Sequence, residues 1–272
     1  MSEIRFAKFQ GAGNDFIMID NRDGAFPASR ELIAAMCERR TSIGADGLIL
    51  VEPSTTAALR MRYFNADGGE AEMCGNGARC FVAYARELGI ETNPLVFETM
   101  ERVLSGSADG DALTIEMGEV RDTRLNIGLD VEGTTYQAHF TNTGVPHVVI
   151  FCYHIEDVDV DGFGRAVRFH DAFRPAGANA NFVEVGRDGG LMVRTYERGV
   201  EGETLACGTG VVASAVIAAL VADVRPPVAV HVRSGDVLTI GFRREGDRFA
   251  DVTLAGPAVH VYDGVYRTTT TR

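Results

Sequence analysis

Residues 63–85 read YFNADGGEAEMCGNGARCFVAYA, and the rest of the chain is organised around them. A polar, glycine-bearing run ends at Cys74, and Gly75-Asn76-Gly77 leads directly into a helical pattern. That pattern (Ala78, Cys80, Phe81, Val82, Ala83, Tyr84, Ala85) is apolar on nearly every side, the signature of a helix enclosed in a core. The first turn of such a helix carries unpaired N–H groups and a partial positive charge. Gly75 and Gly77 allow a backbone or a ligand to come close there. Cys74 therefore stands where both a thiolate and a bound anion are stabilised.

The stretch occurs twice. Residues 196–218 read YERGVEGETLACGTGVVASAVIA, 133 positions on, so that Tyr63 meets Tyr196, Glu70 meets Glu203, Cys74 meets Cys207, and Gly75 and Gly77 meet Gly208 and Gly210. A second cysteine opens a second apolar helix, which Pro226-Pro227 follows. The same offset carries Gly44-Ala45-Asp46 onto Gly177-Ala178-Asn179 and Gly11-Ala12-Gly13-Asn14 onto Gly144-Val145-Pro146-His147. Three separated segments at one offset read as a duplication, two similar halves that each supply one cysteine at a helix start.

A chain of 272 residues, 46% hydrophobic, allows one large domain or two ordinary ones, and the duplication decides for two. A net charge of -12 argues against nucleic acid or an anionic membrane as partner. No apolar run reaches the roughly 18 residues of a spanning helix, and MSEIRFAKFQ lacks a signal-peptide core, so the expected location is the cytoplasm. Five cysteines (37, 74, 80, 152, 207) without framework spacing are expected as free thiols there. Neither C-x-x-C nor H-E-x-x-H occurs, so no metal site is expected. Lys8 is the one lysine among 26 basic residues and lies in a strand-like opening, which argues against a pyridoxal-phosphate enzyme.

Along the chain, residues 4–20 alternate like two strands meeting at Gly11-Ala12-Gly13-Asn14. A GxG before a strand is no dinucleotide fingerprint. Residues 29–39 form an amphipathic helix with Ser29 as N-cap. Strands at 47–52 and 59–64 lead into the first cysteine motif, and 94–99 and 112–117 continue the sheet. Low apolar density at 121–133 suggests a domain crossing. The second half repeats the plan with strands at 136–140, 148–153, 181–185 and 191–196, the cysteine helix, then strands at 228–232, 237–242 and 249–254. The last strand, 258–266, finds no counterpart before the crossing and is expected to return to the first half. The fold class is α+β: two pseudo-symmetric domains, each a strand-rich sheet or barrel around a central buried helix, with the active site in the cleft between them. The domains are 1–120, joined by 258–272, and 121–257.

A lone cysteine is by frequency a small core residue. Cys37, Cys80 and Cys152 take that reading, each inside an apolar pattern. Cys74 and Cys207 hold equivalent places between a polar loop and a helix start, which a structural role would have to produce twice. Two such thiols suit the inversion of a carbon stereocentre, where a base takes the proton from one face and an acid returns one to the other. A single nucleophilic cysteine instead wants a histidine and an orienting group on one side. A thiol titrates near 8.5, and a helix start lowers that towards neutrality. Two helix N-termini supply preorganised donors for the carboxylate of the carbanion. A 1,1-proton transfer on an amino acid then needs no cofactor.

The segments NADGGEAEMCGNGARC, YERGVEGETLACGTG, KFQGAGNDF and GVPH, with the terminal HVYDG, resemble the signature segments of the diaminopimelate epimerases, cofactor-independent racemases of lysine and peptidoglycan biosynthesis. The resemblance implies a two-domain fold with one cysteine from each domain, a homodimer, and conversion of LL- to meso-diaminopimelate. It implies Cys74 as proton donor and Cys207 as acceptor in that direction. By position, Asn14, Asn65, Asn179, Glu197 and Arg198 match the family's substrate contacts. Gly75, Asn76, Gly208 and Thr209 match the amides that hold the reacting carboxylate, and His147 and Glu197 the polar pair flanking the thiols. These roles are chemically sensible, since Arg198 can clamp a distal carboxylate bidentately. Asn14 and Asn65 also read as ordinary turn residues.

Two positions depart from the pattern: Val145 stands where some members carry asparagine before Pro-His, and Gly47 where some carry glutamine. Both concern recognition, and neither touches proton transfer. The competing readings are a related histidine- or proline-type racemase, a non-catalytic amino-acid-binding protein, and a thiol redox protein. The proline type carries CGH where this chain has Cys74-Gly75-Asn76, and the Glu197-Arg198 pair favours a substrate with a second charged end.

Overall fold

A helix without a polar face has to be surrounded, and the chain does this twice. The computed structural model describes residues 3–71, 73–110 and 112–268. Residues 1, 2, 72, 111 and 269–272, which the domain ranges above include, lie outside the described residues. In chain order come β1 (Glu3–Gly11), β2 (Asn14–Asp20), α1 (Arg30–Cys37), β3 (Gly47–Glu52), β4 (Leu59–Asn65), β5 (Glu70–Ala71), α2 (Gly75–Glu87), β6 (Leu95–Glu98), β7 (Val103–Asp109) and β8 (Ala112–Glu116). Then follow β9 (Arg121–Val131), β10 (Thr134–Asn142), β11 (Pro146–Phe151), α3 (Val160–Arg168), β12 (Asn179–Val185), β13 (Leu191–Glu197), β14 (Gly202–Thr204), α4 (Gly208–Val221), β15 (Val228–Val232), β16 (Val237–Glu245), β17 (Arg248–Gly256) and β18 (Val259–Arg267).

The chain divides into two compact units, Met1–Ile115 with Gly256–Arg272, and Glu116–Ala255. In the first, β18, β1, β2, β3, β4, β6, β7 and β8 pair in that order, and β5 pairs with β4. In the second, β9, β10, β11, β12, β13, β15, β16 and β17 do the same, with β14 on β13. The parallel pairs fall at equivalent places: β2 with β3 and β4 with β6, β11 with β12 and β13 with β15. Each needs a crossover, which α1, α2, α3 and α4 provide in turn. Packing follows: α2 touches β1, β2, β3, β4, β7 and β18, while α4 touches β10, β11, β12, β13, β15 and β16. The duplication read from the cysteine motif is thus a duplication of topology.

Two expectations need correction. Residues 121–133 are no mere crossing: Arg121–Val131 is a strand antiparallel to β10. Its side chains are mostly solvent-facing, which is why its apolar density is low. The last strand accordingly has a counterpart. Among the described residues each half holds nine strands, and β9 and β18 are the ninth of each; β9 pairs with β10 in the second unit, and β18 pairs with β1 in the first. Each half's ninth strand therefore completes the sheet of the other. The division falls at Ile115/Glu116 and Ala255/Gly256, against 120/121 and 257/258 in the sequence reading. Finally, α3 was not foreseen. Its sequence VDGFGRAVR carries two glycines and buries only Val160, Gly164 and Val167, too sparse a stripe to register as helical. Asp159 caps it by accepting from the Gly162 amide.

Among the described residues, no helix is long and apolar enough to cross a membrane.

Candidate active site

Both cysteines occupy helix N-cap positions. Cys74 and Cys207 have extended backbones (φ -134°, ψ 118° and φ -112°, ψ 109°), and the helices begin at the next residue. Cysteine is a poor choice for a cap on stability grounds, since Ser, Thr, Asp and Asn serve better. Its recurrence at this one place points to chemistry. Gly75, Asn76 and Gly208 are buried in the first turns, and Thr209 is partly buried.

In the first unit, the hairpin between β1 and β2 turns on Ala12 and Gly13, both with positive φ (53° and 81°), as a two-residue loop of this twist requires. The turn sets Asn14 as the first residue of β2, opposite Gly11. Its Oδ1 accepts from the Cys74 thiol at 3.4 Å, and the Gly77 amide donates to Cys74 Sγ at 3.5 Å. Asn14 Nδ2 donates to Asp46 at 2.6 Å. Asn76 Oδ1 accepts from Arg79, an arginine with no exposed surface in the middle of α2. Asn65 ends β4, where its backbone closes the turn to Gly68 and Gly69 and its side chain is exposed. The turn-residue reading describes Asn65 well and Asn14 only in part.

In the second unit, the parallel register sets His147 on β11 beside Asn179 on β12. His147 is fully buried, and burial first, then the positive charge of Arg198, holds its pKa down to about 3 although Asn181 works the other way. The imidazole is neutral at neutral pH. Its tautomer follows from Asn181, whose Oδ1 accepts from Thr195 and whose Nδ2 donates to the Val148 carbonyl and faces His147 Nδ1 at 3.2 Å. Nδ1 therefore accepts, Nε2 carries the hydrogen, and Nε2 meets no hydrogen-bond partner among the described residues. Asn179 accepts from the Arg198 backbone amide at 2.7 Å, Thr204 donates to Glu197 at 3.0 Å, and Thr209 Oγ1 lies 3.6 Å from Cys207 Sγ. Thr143 donates to the Thr209 carbonyl at 2.9 Å, tying down the first turn of α4.

Each unit thus gathers its own foreseen residues: Asn14, Cys74, Gly75 and Asn76 in one, and His147, Asn179, Glu197, Arg198, Cys207, Gly208 and Thr209 in the other. The Asn65 side chain is exposed. Four supporting residues were not foreseen, namely Asp46, Asn181, Thr143 and Thr204. Asp46 carried a signal, because it lies in a repeated segment opposite Asn179. Among the described residues, no group of three or more His, Cys, Asp and Glu side chains is arranged to hold a metal ion.

The other three cysteines behave as core residues. Burial pushes the thiols of Cys37 and Cys80 up to about 12, and that of Cys152 to about 11. The departure at position 47 also has a local cause. A Cβ on Gly47 would lie 2.5 Å from the Phe64 carbonyl oxygen and 2.6 Å from the Tyr63 ring. Gly47→Gln should therefore cost about 1–3 kcal/mol by overpacking, read as a lowered midpoint in thermal or urea unfolding. The buried His147 predicts a pH effect as well. Its folded pKa of about 3 lies below its ordinary 6.5, so the unfolded chain binds the proton first. The stability tied to its neutral form is complete above pH 6.5 and is lost as the pH falls towards 3. His147→Gln should flatten the fall in urea midpoint over that window.

The diaminopimelate epimerase family model matches residues 6–122 and 139–261, one block in each half. The chain is 41% identical over 272 residues to the diaminopimelate epimerase of Hydrogenobaculum sp. strain Y04AAS1, covering 95% of this chain and 96% of that one. It is 40% identical over 274 residues to the diaminopimelate epimerase of Aquifex aeolicus, covering 96% and 97%. Among solved structures, the Bacillus anthracis phenazine biosynthesis protein of the PhzF family has the same fold, with a TM-score of 0.76 at 15% identity over 98% of this chain and 100% of that one. Paired cysteine caps, a repeated topology and identity across nearly the whole length agree, and the chain belongs to the diaminopimelate epimerase family.

Proposed function

We propose that the protein interconverts LL- and meso-diaminopimelate by moving a proton at Cα between two thiols. In the LL-to-meso direction the Cys207 thiolate takes the α-proton and the Cys74 thiol gives its proton to the opposite face of the carbanion. The turnover leaves Cys207 as thiol and Cys74 as thiolate, the state from which the reverse reaction starts. The observation that carries this reading is the double occurrence of cysteine as the extended cap of a buried helix. The first-turn amides of Gly75, Asn76, Gly208 and Thr209 hold the α-carboxylate and take up the charge that develops on it. Neutral His147 offers an Nε2–H donor beside the thiol chemistry, and Glu197, steadied by Thr204, offers an acceptor. Asn14, Asn65 and Asn179 orient the amino groups, and Arg198 pairs with the distal carboxylate. No cofactor takes part.

The chain acts in the cytoplasm as a homodimer. All five cysteines are free, and a thiol pair that must cycle between protonation states needs a reducing compartment. Val259, Val261, Tyr262 and Val265 lie exposed along β18, an apolar stripe of the kind that a second copy covers.

The test follows α-proton exchange in D2O by proton NMR, with LL- and meso-diaminopimelate, L-histidine and L-proline as substrates. Exchange with the two diaminopimelate isomers only, without added cofactor and in the presence of chelator, is expected. Exchange with histidine or proline instead, or activity that requires pyridoxal phosphate or a divalent metal, sinks the reading.

A further inference from the structure

The two halves repeat one topology, yet the surroundings of their thiols are wired differently. Beside Cys74 runs a chain of charges. Lys8 on β1 pairs with Asp15 on β2 at 2.7 Å and also donates to the Gly44 carbonyl. Arg39, just past α1, pairs with Asp15 at 2.6 Å and with Asp46 at 2.7 Å. Burial works to raise the Asp15 carboxyl, but hydrogen bonds from Arg39 and Lys8 prevail and hold it below the ordinary value. Asp46, just before β3, accepts from Asn14 Nδ2 at 2.6 Å and from the Asp15 amide at 3.2 Å. Asn14 then turns its carbonyl to Cys74.

The order of these contacts leaves Asn14 one orientation. A carboxylate 2.6 Å away, itself paired with Arg39, requires the NH2 end of the amide; the flipped amide would set two acceptors against each other. With Nδ2 committed, Oδ1 must face Sγ, and a carbonyl oxygen there can accept from a thiol but repels a thiolate. The Gly77 amide on Sγ is a bond that sulfur accepts in either state. Two further ionisable groups of α2 lie close by: Arg79, bonded to Asn76, and Cys80, which interacts electrostatically with Arg79 and Cys74. In the second half, the positions equivalent to Lys8, Asp15, Arg39 and Asp46 are Thr141, Val148, Ala172 and Asn179, none of them charged, and Asn14 is replaced by His147. Asn179 is turned to the Arg198 amide, while Cys207 has the Thr209 hydroxyl, which donates or accepts as needed.

We infer that Asp46 is a positioning residue for Cys74: by locking Asn14 with its carbonyl on the sulfur, it holds the resting Cys74 as the protonated partner of the pair. The division of labour between two equivalent cysteines thus has its origin four residues deep in a charge ladder that only one half possesses. The inference builds on the assignment of Cys74 as proton donor, but its test needs no turnover.

The experiment is the pH dependence of iodoacetamide alkylation, resolved by peptide mass spectrometry so that Cys207 in the same molecule serves as reference. In Asp46→Asn the Asn14 amide is free to turn, and the Cys74 profile should move down by about one pH unit while that of Cys207 stays in place. Asp46→Glu should restore most of the shift. In an Asn14→Ala background, Asp46→Asn should add no further movement, because the effect passes through the amide. An unmoved Cys74 profile, a Cys207 profile that moves equally, or the full shift persisting in the Asn14→Ala background overturns the inference. If Asp46→Asn does not fold, Asn14→Ala alone decides: removing the carbonyl should lower the Cys74 profile, and no change refutes the inference. None of these readings depends on which amino acid the enzyme inverts.

Discussion

Cys74→Ala is expected to abolish epimerisation, with a loss in kcat of at least about 10³-fold, while leaving one-sided proton exchange behind. A positioned acid or base contributes on the order of 10²–10⁴, and the proposed mechanism gives that face no second proton carrier. The other unit, with Cys207, His147 and Arg198, is untouched by the substitution. Cys207 can still take the α-proton of the isomer that presents it, trade it for deuterium and return it to the same face. LL-diaminopimelate should therefore gain deuterium at Cα without forming the meso isomer, and Cys207→Ala should show the mirrored behaviour with meso-diaminopimelate. NMR of the α-position together with chiral chromatography separates the two events. Residual inversion in either variant would mean that one thiol, or another group, serves both faces.

The second large effect is expected at Arg198. Arg198→Ala leaves both thiols and the His147–Asn181 pair in place and removes the cation assigned to the distal carboxylate. Loss of a bidentate, charge-assisted contact costs on the order of 2–5 kcal/mol if the pair is well desolvated, or about 30- to 5,000-fold in kcat/KM. The loss should divide between KM and kcat, because binding energy far from the reacting carbon also positions it. A substrate without a second carboxylate, such as L-histidine, should lose little. An equal fall for both substrates would make Arg198 a prop for the fold. The backbone of Arg198 is held independently by Asn179, so truncation of the side chain spares that contact. The two roles are therefore separable.

The repeated cysteine motif carried most of the fold. It announced two buried helices, their shared N-cap and two matching halves, because a helix apolar all round and an unusual cap are local features of sequence. What it did not carry was pairing between distant segments. β9 looks like a crossing because its side chains face solvent, and only its register with β10 makes it a strand. Likewise β18 is legible as a strand, but its equivalence to β9 emerges only once both are seen paired with the first strand of the other half. The site shows the same limit. Cys74, Cys207 and His147 stand in motifs, whereas Asn181 acts on His147, and Thr143 on the Thr209 carbonyl in the turn after Cys207, through hydrogen bonds that span 34 and 66 residues. Asp46 was visible as a repeated position but not as a charge that turns an amide, since that depends on Arg39 and Asn14 arriving at the same point.

The central claim is that two thiols with separate proton pools act on one carbon. The direct measurement is the early time course of wild-type enzyme in D2O, with the isotope at Cα followed separately in substrate and product by NMR. The account predicts deuterium in every product molecule from the first turnovers, since the donor thiol equilibrates with solvent. In these first turnovers the remaining substrate should still carry protium, because the acceptor thiol returns its proton faster than solvent replaces it; the exchange expected in Cys74→Ala builds up only over many such returns. Protium carried over into the product, or deuterium entering substrate and product alike from the start, would contradict it.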